Sequence, residues 1–382
     1  MYKEPSLHEK LNVLNINKSF KDFTSSFIFL NDRLIYKSTK LVNSLSNNGV
    51  ELLTKYSAIF KNAWWMQKYT CNFSFCSRDD TTNQLNNILS SNGFVLFVGE
   101  GVRVETPISV YFYYTKKVNS FYAPSNLIVL GGKSSCSVNV YYKSLYKCDR
   151  DLNSLVLDST NTIVNKNSYL KLTSFKHLEG FTNFQTNDFV AYQKALLNVC
   201  NINIKAPFNF LKNHTVLKGP GSNINLTGLN ILGNSGYVKN VIQQTHLVPN
   251  CKSSVLFKNI VPDNAKSTFS GLILIDKKAH GTVAKQLNNN MCFGSNVEVY
   301  STPKLEILSN NVRCLHGVTI GGLDSLDTLY AASRCLDKLG VTQLFVLGFI
   351  NSILKEISIK KIKKLVYKRV ELLIKKPYNT TI

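Results

Sequence analysis

The chain has 382 residues and a formal net charge of +22, from 45 basic and 23 acidic residues. This length is sufficient for a sizeable core and for two or three domains. Uninterrupted apolar runs such as Leu344–Leu347 are far shorter than the ~20 residues that span a membrane. Residues 1–10 contain Glu4 and Glu9 and lack the apolar segment of a secretory signal. We therefore expect a soluble, internal protein without membrane insertion.

The excess of basic residues, taken alone, suggests a nucleic-acid partner. However, Asn, Lys, Ile, Tyr and Phe are all plentiful, which is the profile that AT-rich coding produces. The lysines are spread along the chain with no dense cluster before residue 355, and no RRM-like, KH-like or zinc-finger motif is present. We therefore predict that nucleic acid is not a partner.

The nine cysteines do not form a recognisable framework. Their number is odd, their spacing is irregular and there is no CxxC pair, which argues against disulfides and against a self-contained zinc site. This pattern is typical of a reducing compartment, where most thiols are small buried apolar groups. A functional cysteine would act singly or with ligands from a partner.

Residues 1–92 are predicted to form a mostly helical N-terminal region, with a helix-like stretch over residues 41–61. From residue 93 to residue 316 short β-branched and aromatic runs recur, punctuated by Gly, Asn, Ser and Pro. More than ten such runs without a long amphipathic helix exclude a doubly wound α/β domain. In Asn223–Thr227 apolar and polar residues alternate, and burial of one face in every strand suits a β-helix. No fixed repeat length is visible, so a sandwich or a barrel stays open.

Residues 317–382 are predicted to form a C-terminal helical region. Asp324 or Ser325 can cap a helix towards Leu336, and Gly340 separates it from a second helix over residues 341–353. A third segment has an apolar stripe at a spacing of three to four residues, formed by Ile359, Ile362, Val366, Val370 and Leu373. The stripe favours packing on the chain's own domain or docking of a partner protein.

Cys314 and His316 are the leading candidates for chemistry. If residues 312–316 form a strand, both side chains point the same way, ~6.5–7 Å apart. This separation suits two ligands of one iron or one small cluster, and it is wide for a nucleophile–base hydrogen bond.

From Gly101 to Gly348 the chain resembles the SufB/SufD family of iron–sulfur cluster assembly proteins. The motifs that carry the resemblance occur in the expected order: Gly101-Val102 with Pro107-Ile108, then Thr245-His246, Pro249, Cys251 and Ser253, then Phe269-Ser270-Gly271, then Ala279, Thr282, Ala284 and Gln286, then Pro303–Ile307, Val312–Gly317, Thr319 and Gly321, then Leu329-Tyr330, Ser333-Arg334 and Gly348-Phe349. N-terminal similarity is limited to Trp65 and residues 68–70.

Within this family, His316 followed by Gly317 resembles the SufD branch, because the SufB branch typically has Glu at the second position. A SufB-type primary scaffold is the alternative. Two departures stand out. Cys335 replaces the glycine of the family's Ser-Arg-Gly, and Asn240 stands where an acid is common.

The resemblance implies a right-handed parallel β-helix core between helical regions. It also implies a heterodimer with a SufB-like paralogue, and a SufC-like ABC ATPase docked on the C-terminal helices. Cys314 and His316 would hold a transient iron or iron–sulfur cluster together with ligands from the partner. Arg313 would assist by lowering the pKa of Cys314.

The remaining candidates have structural interpretations. His246 and Cys251 are more typical of structural residues than of ligands, and Arg334 would attach the C-terminal helices to the β-helix. The segment Gly219-Pro220-Gly221 is too short and wrongly spaced for a P-loop. ATP hydrolysis would therefore belong to a partner, and this chain is expected to be a non-catalytic scaffold.

A basic β-helix that binds nucleic acid or polysaccharide is the more distant alternative. A carbohydrate-cleaving β-helix would need clustered carboxylates, whereas the acids here are scarce and dispersed. The AT-biased composition favours a plastid stroma as the location, with a bacterial cytoplasm as the alternative.

Overall fold

The computed structural model describes residues 25–38, 48–61, 65, 68–69, 81–90, 92–115, 120–145, 154–294, 296–357 and 359–374. The strands are β1 (Ser25–Leu30), β2 (Arg33–Lys37), β3 (Val50–Thr54), β4 (Phe94–Val98), β5 (Ile108–Tyr114), β6 (Phe121–Tyr122), β7 (Ser125–Leu130), β8 (Ser135–Ser144), β9 (Ser154–Val164), β10 (Tyr169–His177), β11 (Phe181–Ala191), β12 (Leu196–Ile204), β13 (Phe208–Leu217), β14 (Asn223–Ile231), β15 (Tyr237–His246), β16 (Lys252–Val261), β17 (Lys266–Ile275), β18 (Thr282–Cys292), β19 (Glu298–Ile307) and β20 (Val312–Gly321). The helices are α1 (Lys55–Phe60), α2 (Thr81–Leu89), α3 (Ser325–Ser333), α4 (Lys338–Glu356) and α5 (Lys360–Ile374).

The strands form two 10-stranded sheets that the chain visits in alternation. Sheet I has the order β2-β1-β5-β8-β10-β12-β14-β16-β18-β20. Sheet II has the order β19-β17-β15-β13-β11-β9-β7-β4-β3, with β6 also paired to β9. From β7 and β8 onwards each strand pairs in parallel with the strand two places along the chain. The expected parallel β-helix is confirmed.

The core lies between the sheets because alternate residues of each strand point inward. In β14 the residues alternate between half-buried and buried positions before the strand becomes fully buried. A row of inward amides follows sheet I: Asn203 donates to Asn230, Asn230 to Asn259, and Asn259 to Asn290. These steps along the chain are 27, 29 and 31 residues. Because the coil length varies, the sequence shows no fixed repeat.

A buried ion pair lies among the inward-facing side chains. Lys176 on β10 contacts Asp158 on β9, and neither side chain is more than 3% exposed. The Lys176 ammonium also donates to Asn183 at 3.2 Å and lies 4.6 Å from the centre of the Tyr142 ring. The ammonium is therefore held by a carboxylate, an amide and an aromatic face.

At one corner of the solenoid, stacked turns lead from sheet II to sheet I. A residue with positive φ recurs in these turns, at Lys133, Asn167, Lys194, Gly221 and Asn250. The next residue is small and buried: Ser134, Ser168, Ala195, Ser222 and Cys251. The turns pack so closely that a Cβ on Gly219 would overlap the backbone of Gln193. Gly219 therefore serves turn stacking.

Helices α4 and α5 cover the outer face of sheet I. The buried stripe of α5 and residues of α4 form one apolar cluster with strand residues such as Ile202, Leu229 and Ile260. The stripe therefore packs on the chain's own domain, which is one of the two predicted alternatives. No helix among the described residues is both long and apolar enough to cross a membrane.

The helix boundaries differ in part from the expected ones. Asp324 caps α3 by accepting from the backbone N–H of Leu326, as predicted. Gly340 does not separate the helices, because α3 ends at Ser333 and Asp337 caps α4, accepting from the N–H of Gly340 at 2.8 Å. Gly340 therefore lies in the first turn of α4.

The mostly helical character expected for residues 1–92 is not found in the described part of that region. Strands β1, β2 and β3 extend the two sheets, and helices α1 and α2 are short. The helix expected over residues 41–61 is reduced to Lys55–Phe60, because Val50–Thr54 pairs antiparallel with β4 and buries Val50 and Leu52. Residues 41–47 lie outside the described residues. The solenoid also extends past the expected boundary at residue 316, to Gly321.

Candidate functional site

The candidate site lies at the C-terminal end of the solenoid. Strand β20 is the outermost strand of sheet I and pairs with β18, while β19 is the outermost strand of sheet II and pairs with β17. Within the described ranges, the other backbone edge of β19 and of β20 has no strand partner. The coil stack is therefore open at this end.

Cys314 and His316 lie two residues apart in β20, on the face directed to the solenoid interior. Their register neighbours in β18 are Ala284 and Gln286, both buried. Cys314 is half-buried and packs against an apolar cluster that includes Ile273 and Ala284. His316 is exposed. The strand geometry that the sequence predicted is present, and it places both groups at the mouth of the open end.

Gln286 belongs to the same surface, although in the sequence it is identified only as one residue of a motif. It is 1% exposed, and neither of its amide atoms has a hydrogen-bond partner in the described structure. Its amide lies where a side chain on Gly271 would stand. The missing side chain at Gly271 therefore allows a polar group beneath His316.

The Cys314 thiol is not activated by its surroundings. Burial raises its pKa, and this is the cause of its shift. Arg313 is exposed on the opposite face of the strand, because neighbouring residues alternate. The expectation that Arg313 lowers the pKa of Cys314 is wrong. The thiol is protonated at neutral pH, and a metal ion would have to displace its proton.

His246 and Cys251 are structural, as their residue patterns indicated. The ring of His246 is fully buried and its Nε2 lies 2.8 Å from the hydroxyl of Ser253. Burial lowers the pKa of His246 to about 4, so the ring is neutral. Cys251 is one of the small corner residues, with its sulfur 3.3 Å from the hydroxyl of Ser222 and 3.4 Å from the carbonyl oxygen of Gly219.

Arg334 and Cys335 follow the last turn of α3. The guanidinium of Arg334 lies 5.4 Å from the ring centre of Tyr330 on the same helix, and Arg334 is exposed. The expected attachment of the helices through Arg334 is therefore wrong. Cys335 has φ 63°, a conformation that favours glycine, which agrees with the turn glycine expected at this position.

The donor set at the open end is incomplete. Cys314 and His316 supply one sulfur and one imidazole. Nowhere in the described ranges do three His, Cys, Asp or Glu side chains converge as a metal site would require. A cluster at this end would therefore need ligands from outside the described chain.

The sequence is similar to a known protein family. Residues 112–349 match the family model described as "SUF system FeS cluster assembly, SufBD core domain". The chain is 24% identical over 289 residues to the iron–sulfur cluster assembly protein SufB of Bacillus subtilis, covering 74% of this chain and 60% of that protein. It is 32% identical over 120 residues to the iron–sulfur cluster assembly protein SufD of Escherichia coli, covering 31% and 28%.

A SufBD family protein of Staphylococcus saprophyticus is 21% identical over 324 residues, covering 83% of this chain and 67% of that protein. The chain thus matches 60% of the length of the Bacillus subtilis relative and 28% of the Escherichia coli one. Relatives of both branches occur, so the identities do not separate SufB from SufD. Because the family model matches more than half of the sequence, the chain belongs to the SufBD family of SUF-system iron–sulfur cluster assembly proteins.

Proposed function

We propose that this chain is a non-catalytic scaffold subunit of a SufBCD-type complex that builds and transfers iron–sulfur clusters. The observation that carries the proposal is the position of Cys314 and His316 on one inner face of the last strand, where the solenoid is open. The cluster is cargo at this site, held transiently.

The chemistry of the two side chains fits this cargo. Thiolate and imidazole are both ligands of iron in such clusters, which take about four protein ligands. Cys314 and His316 account for two, so a partner subunit supplies the rest. Because burial raises the pKa of Cys314, cluster binding releases its proton and becomes weaker as the pH falls.

The open end also offers a surface for the partner. The edges of β19 and β20 carry exposed apolar side chains, including Leu315 at 51% and Ile320 at 54%. An unpaired strand edge with apolar neighbours can be covered by a second sheet. We assign this end to a SufB-like paralogue, which would bring its ligands next to Cys314.

A SufC-like ATPase would dock on the C-terminal helices. Leu326, Leu329 and Tyr330 of α3 are 69%, 68% and 64% exposed. The apolar stripe of α5 is buried against sheet I and is therefore not accessible to the ATPase. The exposed apolar face of α3 is therefore the surface that we assign to the ATPase, which would carry out the ATP hydrolysis.

We place the chain on the SufD side of the family because Gly317 follows His316. A SufB-type primary scaffold is the second candidate, since the relatives of this chain include a SufB. The location in a plastid stroma stays a prediction from the composition.

The test is anaerobic co-expression with a SufB-like protein and a SufC-like ATPase, followed by measurement of mass and iron in the complex. We expect a defined hetero-complex whose iron content falls in His316→Ala and in Cys314→Ser. His280→Ala, at an exposed corner histidine, and Cys292→Ser, at a half-buried cysteine of β18, are the matched controls.

Unchanged iron in an intact complex of His316→Ala would limit this chain to a structural role. Iron bound by this chain in the absence of the paralogue would favour the SufB-type scaffold. Failure to form any complex would overturn the proposal.

The docking surface has its own test. Leu326→Asp with Leu329→Asp should abolish co-purification of the ATPase and leave the paralogue bound. Leu365→Asp with Leu372→Asp, at exposed positions of α5, should leave both partners bound. Equal loss of the ATPase in both double variants would contradict the assignment to α3.

A further inference from the structure

Gln286 on β18 is a buried polar side chain to which the proposed function assigns no role. It is 1% exposed, and among the described residues neither its amide oxygen nor its amide nitrogen has a hydrogen-bond partner. A buried amide without a partner destabilises a fold, because it has lost its hydrogen bonds to water. Native structures contain few such groups, so a partner for this amide is expected close by.

The coil stack gives Gln286 one polar neighbour in sheet I. On one side its register neighbour is Val255 of β16, which is buried and apolar. On the other side its register neighbour is His316 of β20. The amide therefore has a hydrocarbon side chain towards the middle of the solenoid and an imidazole towards the open end.

The opposite wall of the interior offers no polar side chain in register with the amide. The side chain of Gln286 crosses to Gly271 of β17, where an added Cβ would overlap the amide. The register neighbours of Gly271 are Ile242 of β15 and Pro303 of β19. Among these register neighbours, His316 is thus the one side chain that can pair with the amide.

Inward register neighbours in sheet I bond to each other elsewhere along the same stack. Three bonds of 2.9, 2.7 and 2.7 Å join Asn203, Asn230, Asn259 and Asn290, each to its register neighbour on the next coil. Neighbouring strands lie ~4.8 Å apart, and inward polar side chains bridge this distance in all three cases. Gln286 and His316 are related in the same way, so a bond between them is within reach.

His316 requires such a partner if it is to bind iron in a defined direction. An imidazole has two nitrogens, and a histidine that binds a metal through one of them usually donates the N–H of the other to an oxygen acceptor. This bond fixes the tautomer and the orientation of the ring. His316 is exposed at the open end, and rotation about its side-chain bonds brings the ring over Gln286.

We propose that Gln286 is a positioning residue for His316. One ring nitrogen of His316 donates to the amide oxygen of Gln286, and the other nitrogen is left for iron. The bond gives the buried amide its partner and holds the ring in one tautomer. This inference rests on the proposed function, because it requires that His316 binds the cargo.

The test is a double-mutant cycle in the anaerobic hetero-complex, in which retained iron is measured against increasing concentrations of a chelator. The variants are Gln286→Met, which removes the acceptor at nearly constant length, His316→Ala, and both together. Asn240→Leu is the matched control, because Asn240 is fully buried and both of its amide atoms also lack a partner among the described residues. Its register neighbours are Leu211 and Phe269, in sheet II.

We expect Gln286→Met to weaken iron retention by about 10- to 100-fold and Asn240→Leu to leave it unchanged. In the His316→Ala background, Gln286→Met should cause no further loss, because Gln286 acts through His316. Gln286→Glu keeps an acceptor oxygen and should retain more iron than Gln286→Met. The melting temperature of the isolated chain should not fall in Gln286→Met, since the change removes an unpaired amide. If it does fall, Gln286→Leu replaces Gln286→Met in the cycle.

The outcomes separate this inference from the proposed function. Iron that falls in His316→Ala but not in Gln286→Met would overturn the inference and leave the proposed function intact. A further loss of the same size in the His316→Ala background would also overturn it, because the two residues would then act independently. Unchanged iron in His316→Ala would remove the ligand role of this residue from the proposed function, and the inference with it.

Discussion

Replacement of Asp158 by Asn tests how the buried charge of Lys176 is stabilised in the solenoid interior. The change keeps the shape of the side chain and removes the charge that faces Lys176. Lys176 is 2% exposed, and burial lowers its pKa while the carboxylate of Asp158 raises it. Without the carboxylate, Asn183 and the Tyr142 ring are what remains beside the ammonium. The change with the lowest free-energy cost is loss of the proton from Lys176.

The size of the effect follows from this response. A lysine in the unfolded chain has a pKa of about 10.4, so making it neutral at pH 7 costs about 4.6 kcal/mol, at 1.36 kcal/mol per unit. This value lies within the ~3–5 kcal/mol that loss of one partner of a buried pair costs. At pH 9 the same step costs about 1.9 kcal/mol. The unfolded variant binds the extra proton, so its stability rises with pH.

The assay is denaturant unfolding of the wild type and of Asp158→Asn at pH 7 and pH 9, followed by circular dichroism. The difference in free energy of unfolding should shrink by about 2.7 kcal/mol between the two pH values. Burial raises the pKa of Tyr142, so its hydroxyl does not titrate in this range. Asp158→Asn combined with Lys176→Met should show no such change. A loss below ~1 kcal/mol, or one independent of pH, would refute the reasoning.

Three further predictions concern stability. Cys335→Gly should raise the free energy of unfolding by about 1 kcal/mol because Cys335 has φ 63°. Cys335→Ala should not raise it. Equal gains in both variants would exclude backbone strain as the cause. Gly219→Ala should lower the melting temperature sharply, because the added Cβ would overlap the backbone of Gln193. A Cβ at Gly321 meets open space, so Gly321→Ala should melt like the wild type. Similar melting of both variants would contradict the turn stacking. Burial lowers the pKa of His246 to about 4, whereas an unfolded histidine has a pKa of about 6.5. The free energy of unfolding should therefore fall by about 3 kcal/mol between pH 6.5 and pH 4. His246→Gln should flatten this acid limb in unfolding titrations, and an unchanged limb would assign it to other groups.

Local pattern located several strands well. β4 and β5 begin and end where the β-branched and aromatic runs do, at Phe94–Val98 and Ile108–Tyr114. The pattern failed where inward positions are polar. In β11 the inner face carries Asn183, Gln185 and Asn187, which are all buried. Asn183 and Asn187 donate to Asn209 and Asn213 of β13, and Gln185 donates to Asn187 in the same strand.

The site was predicted in the same partial way. The alternation of a strand sufficed to place Cys314 and His316 on one face. It did not reveal that β20 is the outermost strand, that Gln286 lies beneath His316, or that Arg313 points away from the thiol. These facts depend on strand order, which a local pattern does not encode.

The sequence by itself determined the repeated strands, the cap at Asp324 and the apolar stripe of α5, because each depends on residues close together along the chain. The tertiary structure decided which residues from distant coils share a surface. Asn203, Asn230, Asn259 and Asn290 are 27, 29 and 31 residues apart in the sequence, yet the coil stack joins them in one row of hydrogen bonds. The same stacking leaves β20 at an open end and so makes Cys314 and His316 accessible to a partner.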